Sequence, residues 1–157
     1  MSEARASDAV EGVVLALDLG DQRIGVAVSD RRRILASPLT IVTRKGDRAR
    51  DHEEIRRLVD ECGATIVVVG LPLSLSGSSG PAAKKARAEI ADLEKVLPVD
   101  VVAHDERFST VEAVRRMAET RLEHVGSRSP SKKRRVIVDD KAAAVLLESY
   151  LAATAKR

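Results

Sequence analysis

Two runs of this chain, VVLALDLG from Val13 to Gly20 and TIVVVG from Thr65 to Gly70, are apolar on both faces. Such a strand has to lie inside a sheet that is covered on both sides, because either face left in water would expose a row of aliphatic side chains. The first run nevertheless carries a carboxylate, Asp18. An uncompensated charge among apolar groups costs roughly several kcal/mol, so a partner for Asp18 is expected.

The remaining segments arrange themselves around those two. IGVAVSD, Ile24 to Asp30, suits a second strand joined to the first by the tight turn DQR, with Gly20 and Gly25 giving backbone freedom or close approach. ILASPLTIV, Ile34 to Val42, fits a third strand at the sheet edge, where Pro38 is tolerated. Ile55, Leu58, Val59 and Cys62 recur at helical spacing, and Gly63 follows as a stop. After TIVVVG comes LPLSLSGSSGP, a loop by its Gly, Ser and Pro content. A helix from about Ala82 places Ala86, Ile90, Leu93 and Leu97 on one side, and Pro98 closes it. VDVVAH, Val99 to His104, is a fifth strand. Ser109 and Glu112 then form a capping box for another helix, and a final helix spans about Val138 to Leu151. The order predicts one α/β domain over 13–157, preceded by a polar tail over 1–12. Its five-stranded mixed sheet has an antiparallel three-strand meander on one side and right-handed parallel crossovers on the other, flanked by helices. In sheets of this kind sites form beyond the carboxyl ends of the parallel strands, which points at Gly70-Leu71-Pro72 and Asp105-Glu106-Arg107.

With 157 residues the chain can bury about two-thirds of its unfolded surface and needs no disulfide. Cys62, its single cysteine, falls on the apolar side of a helix and reads as a reduced core residue. The opening MSEARASDAVEG is polar and mixed in charge, unlike a secretion signal, and no apolar run reaches the ~20 residues of a membrane span. A cytoplasmic protein without a membrane partner is expected. The net charge of +3 is local: GSRSPSKKRRV, Gly126 to Val136, holds five basic residues, and without them 22 Lys and Arg face 24 Asp and Glu. This segment reads either as a solvated loop or as a footprint for phosphodiester backbones. One Phe and one Tyr in the whole chain argue against recognition by base stacking, so a nucleic acid would be held by its phosphates and shape.

Acids stand at three further places: Asp105 and Glu106 past the fifth strand, and Asp139 and Asp140 opening the last helix. Each could be a cap or a solvated acid. If the last helix crosses the sheet near the first strand, its carboxylate and Asp18 converge, and their repulsion demands a raised pKa or a cation. A hard divalent ion with oxygen ligands, Mg²⁺ or Mn²⁺, is the natural compensation. Ions gathered by carboxylates beside a basic segment are the apparatus of two-metal phosphodiester hydrolysis. His52, His104 and His124 lack metal-ligand spacing, and GSSG lacks the Lys-Ser/Thr of a P-loop. His104, ending a strand beside Asp105, reads as structural.

Four motifs, LDLGDQRIGVAVSD, VVVGLPLSLSGSSG, HDERFSTVEA and VDDKAAAVLLESYL, resemble in order and spacing the YqgF/RuvX family of Holliday-junction-resolvase-like proteins, also described as candidate pre-16S rRNA nucleases. The resemblance runs from about Val13 to Leu151. It implies a ribonuclease H-like fold and a metal-binding catalytic set of Asp18, Glu106 and Asp140, the last through the pattern D-x-x-A-A. Asp139 stands where a plain aliphatic residue is usual, which leaves the choice within that pair open. The resemblance also implies that Arg23 and Arg107 contact phosphate or brace the carboxylates, and that Lys132, Lys133, Arg134 and Arg135 form the basic nucleic-acid-binding segment. Phe108 replaces a common Leu.

The activity so implied is endonucleolytic, on precursor rRNA, on branched DNA in recombination and repair, or on both. Symmetric cutting of a junction would call for a homodimer or paired monomers. Two other classes compete. A nucleotide binder of the actin or sugar-kinase type needs a second lobe, for which 157 residues leave no room. A non-catalytic nucleic-acid-binding or ribosome-associated module could keep the same fold without turnover.

Overall fold

A computed structural model describes residues 12–73, 80–109 and 131–155. Its strands are β1 (Val13–Leu19), β2 (Arg23–Ser29), β3 (Ala36–Thr43), β4 (Ala64–Leu71) and β5 (Asp100–Asp105). Its helices are α1 (Arg48–Cys62), α2 (Pro81–Val96) and α3 (Ser131–Ala155), and a 3-10 turn covers Glu106–Ser109. The expected tail, the centre of the Gly/Ser loop and the helix expected after Ser109 lie outside the described residues. Ser109 itself ends the 3-10 turn.

The five strands form one sheet in the order β3-β2-β1-β4-β5. β3, β2 and β1 are antiparallel, and β1, β4 and β5 are parallel. This is the mixed sheet that the sequence predicts. β1 and β4 are interior strands, as their two apolar faces require. Pro38 lies on edge strand β3 opposite Ala27, next to a register shift between Val26 and Ala27, where the missing N–H breaks no regular ladder.

Strand alternation divides the core into two layers. Leu15, Leu17, Val67 and Val69 point to one face and pack with Ile55 and Val59 of α1 and Ile90 and Leu93 of α2. Val14, Ala16 and Val68 point to the other and meet Ala143, Ala144, Leu147 and Leu151 of α3. The helix ends follow their chemistry. Asp47 accepts a hydrogen bond from the Ala49 N–H at 3.0 Å, and Gly63 adopts φ 65°, the left-handed conformation that ends α1. Cys62 is half-buried, and burial pushes its thiol pKa up, which suits an unreactive residue.

α3 begins at Ser131, about seven residues earlier than its apolar stripe suggests. Lys132, Lys133, Arg134 and Arg135 are therefore helical and not part of a loop. The Gly/Ser/Pro composition misleads here because it ends at Ser131, the first residue of the helix, after which Lys and Arg are good helix formers. No described helix is long and apolar enough to cross a membrane.

Candidate active site

Leu17 of β1 pairs with Val69 of β4, one residue before Asp18 and Gly70, and Gly70 pairs with His104 of β5. The carboxyl ends of three parallel strands thus stand side by side, and the chain continues from β5 directly into Glu106. Asp18 shares the side of β1 that carries Val14 and Ala16. It is half-buried at the mouth of the sheet rather than enclosed among aliphatic groups. On its own side of β1 the apolar layer ends at Ala16, so Asp18 is less enclosed than its place in the run suggests.

The Glu106 side chain lies across the backbone of Gly70. A Cβ at position 70 would come within 3.1 Å of both Cγ and Cδ of Glu106 and would collide with its carboxylate. Glycine is what lets the carboxylate lie there. Burial raises the Glu106 pKa, and the negative charges of Asp18 and then Asp105 raise it further. Asp18 and Glu106 line one cleft of about 520 Å³, whose other wall is α2 through Ala82, Lys85, Ala86 and Glu89.

Within Asp105-Glu106-Arg107 the roles separate. Arg107 donates to Asp105 through Nη2 at 2.6 Å, Nε at 2.9 Å and its backbone N–H at 2.9 Å. These contacts, the side-chain bonds foremost, hold the Asp105 pKa down. Asp105 is thereby engaged by Arg107, and Glu106 supplies the carboxylate that lines the cleft. The carboxylate that Arg107 engages is Asp105, which lies outside the set Asp18, Glu106 and Asp140 that the resemblance implies. Arg23 opens β2 and lines a hollow beside Asp18, Gly20 and Gly25.

His104 has the structural role its position suggests. Its Nε2 lies 2.9 Å from Ser149 Oγ, and its ring meets Tyr150 edge-on at 5.7 Å, which ties β5 to α3. Asp139, Asp140 and the four basic residues 132–135 belong to α3, but their side chains lie outside the described residues. Among the described residues no three His, Cys, Asp or Glu side chains form a group able to hold a metal ion. The two that converge, Asp18 and Glu106, have the character a hard cation fits: oxygen donors, one of them with its proton affinity raised by burial and by the other's charge.

Sequence reasoning missed Arg44 and Glu89, which also line the cleft, together with His52 and Asp51 behind them. A signal was present. His52 and Glu89 fall on the apolar stripes of α1 and α2, three residues before Ile55 and three after Ala86. Polar groups in such places require partners.

The family model described as RuvX, Holliday junction resolvase, matches residues 12–153. A protein of Dehalococcoides mccartyi described as "Putative pre-16S rRNA nuclease" is 42% identical over 134 residues, covering 85% of this chain and 92% of that one. A protein of Halothermothrix orenii with the same description is 38% identical over 138 residues, with 88% and 93% covered. Among solved structures, the chain is similar to Thermus thermophilus RuvC in complex with Holliday junction substrate, with a TM-score of 0.54 at 17% identity, covering 88% of this chain and 94% of that one. That likeness establishes the ribonuclease H-like fold.

Proposed function

The chain belongs to the RuvX family, and from that premise we propose that it is a metal-dependent endonuclease that hydrolyses phosphodiesters in structured nucleic acid, with precursor 16S rRNA and four-way DNA junctions as the substrates to compare. The observation that carries this reading is the joint lining of one cleft by Asp18 and Glu106, which are 88 positions apart in sequence. Asp140 of α3, the third residue that the resemblance implies, would complete the set. Asp18, Glu106 and Asp140 would hold Mg²⁺ or Mn²⁺. When bound, such ions supply activation of the attacking water and charge stabilisation at the leaving oxygen, the two-metal scheme.

The protein's own groups do the rest. Gly70 clears the space that Glu106 occupies, and Arg107 holds Asp105. Arg23, beside Asp18, and the basic turns of α3 bind the sugar-phosphate backbone, which is read by shape because aromatic platforms are lacking. Cutting a junction symmetrically calls for two copies of the chain on one substrate, whereas trimming an RNA precursor does not.

The test is cleavage by purified protein of a four-way junction, a linear duplex and a ribosomal precursor fragment in Mg²⁺, Mn²⁺ or EDTA. Metal-dependent cutting of the first or third, lost in Asp18→Asn, is expected. Binding without cutting under every condition would make the chain a non-catalytic module and overturn the reading.

A further inference from the structure

A cluster of charges spans the cleft at the end where β3 runs into α1. The backbone N–H of Arg44 donates to the Gln22 carbonyl at 2.9 Å, and its Nε donates to the Gly20 carbonyl at 2.8 Å. Arg44 therefore grips the β1–β2 turn at two points. The turn is itself tight: Gly20 N–H donates to the Arg23 carbonyl at 2.9 Å, and a Cβ on Gly20 would lie 2.6 Å from that oxygen. A pull on Gly20 is thus passed along the backbone toward Asp18, two residues away.

The guanidinium continues across the cleft. Nη1 and Nη2 donate to the two carboxylate oxygens of Glu89 on α2 at 2.9 and 2.8 Å, a forked pair. His52 of α1 places Nε2 2.8 Å from the same Oε2, where a carboxylate can only accept, so that nitrogen bears a proton. Asp51 stands 3.7 Å from Nη1. Asp51, His52 and Glu89 are 3%, 2% and 4% exposed.

Stability alone does not explain such a set. Removing one member of a buried ionic group is costly, yet replacing the whole group by apolar side chains of similar volume is often neutral or favourable. What the ions supply and an apolar plug does not is directional geometry.

We propose that Arg44 is a positioning residue: fixed by Glu89 and His52, it holds the β1–β2 turn at a set distance from α2 and so holds Asp18 in the geometry that binds the divalent ion. This inference rests on the reading of Asp18 and Glu106 as metal ligands and names the residue that orients the first of them. Lysine cannot replace Arg44, because one ammonium cannot reach the Gly20 carbonyl and both Glu89 oxygens in a planar fork.

The experiment measures Mn²⁺ binding by electron paramagnetic resonance and the Mg²⁺ dependence of junction or precursor cleavage. It uses the full chain, Arg44→Lys, Glu89→Gln, and a triple variant Arg44→Met, His52→Leu, Glu89→Met. Arg44→Lys and Glu89→Gln are expected to weaken Mn²⁺ binding on the order of 10- to 100-fold and to raise the half-saturating Mg²⁺ concentration in parallel. Cleavage at saturating Mg²⁺ should fall far less. The triple variant should unfold cooperatively near the wild-type temperature and still bind Mn²⁺ weakly, a separation that a merely structural role would not produce. Wild-type Mn²⁺ affinity in folded Arg44→Lys overturns the inference, as does a triple variant that fails to fold, since the network would then be a stability device. If the unaltered chain neither binds Mn²⁺ nor cuts, the nuclease reading falls first and separately.

Discussion

Gly70 and Glu106 compete for one volume: the glutamate side chain crosses the glycine backbone so closely that a Cβ there would meet its Cγ and Cδ at 3.1 Å. Gly70→Ala should therefore displace the Glu106 carboxylate while changing no ionisable residue. Misplacing a catalytic group by about 1 Å costs on the order of 100-fold in rate, whereas stability should change little, because the methyl displaces only the end of a flexible side chain that lines the cleft. Cleavage rates and thermal unfolding of the variant check this. A folded Gly70→Ala protein that cuts at the parental rate would show that the position of Glu106 is irrelevant.

Asp18→Asn, Glu106→Gln and Asp140→Asn should each abolish cleavage. Glu106→Gln carries an additional signature. Its pKa is raised in the folded state by burial and by Asp18, so the stabilising contribution of the protonated form is present at low pH and is lost as pH rises through the folded value. The variant keeps a neutral group throughout. In metal-free buffer it should match the parent in acid and exceed it in stability at neutral pH. Mg²⁺ should raise the parent's Tm and leave the variant's unchanged. Calorimetry across pH, with and without Mg²⁺, reads both effects.

Glu89 should behave in the opposite sense. Burial pushes its pKa up, but hydrogen bonds from Arg44 and His52 outweigh burial and leave it below the ordinary value. The stability it contributes is present above the unfolded carboxylate pKa and is lost as pH falls through the lower folded one. Glu89→Gln should cost about 3 kcal/mol at neutral pH, and the gap between parent and variant should close below about pH 4. A constant gap from neutral pH into strong acid would mean that Glu89 is not ionised in the fold.

Changing Lys132, Lys133, Arg134 and Arg135 to Gln should weaken binding equally for unrelated sequences of the same shape. Each lost phosphate contact should flatten the slope of log K against log salt by about one unit. An unchanged slope removes the first turns of α3 from the interface.

The sheet was legible because its interior strands are apolar on both faces and its helices carry one-sided stripes; Ala86, Ile90, Leu93, Leu97, Ala143, Ala144, Leu147 and Leu151 are all buried as those stripes require. The start of α3 was not, since composition marks loops by Gly, Ser and Pro and says little about Lys and Arg. Asp18 could be singled out as an acid in an aliphatic run, but its half-exposed position depends on where β1 ends relative to β4. Glu106 was indicated by the rule that sites lie beyond parallel strands, whereas its place over Gly70 depends on the pairing of β4 with β5. The Arg44, His52 and Glu89 cluster joins segments up to 45 residues apart. A sequence shows that His52 and Glu89 need partners and not which partners they find.

Gly70 stands between Asp18 and Glu106 because β4 is inserted between β1 and β5 in the sheet, although β1 is synthesised long before either. A chain still emerging from the ribosome with β1 through β4 complete has Asp18 and lacks its opposing carboxylate. On the reading proposed above, such a fragment would lack the paired carboxylates of the cleft, and cleavage would become possible only once β5 and the segment after it have been made and have packed.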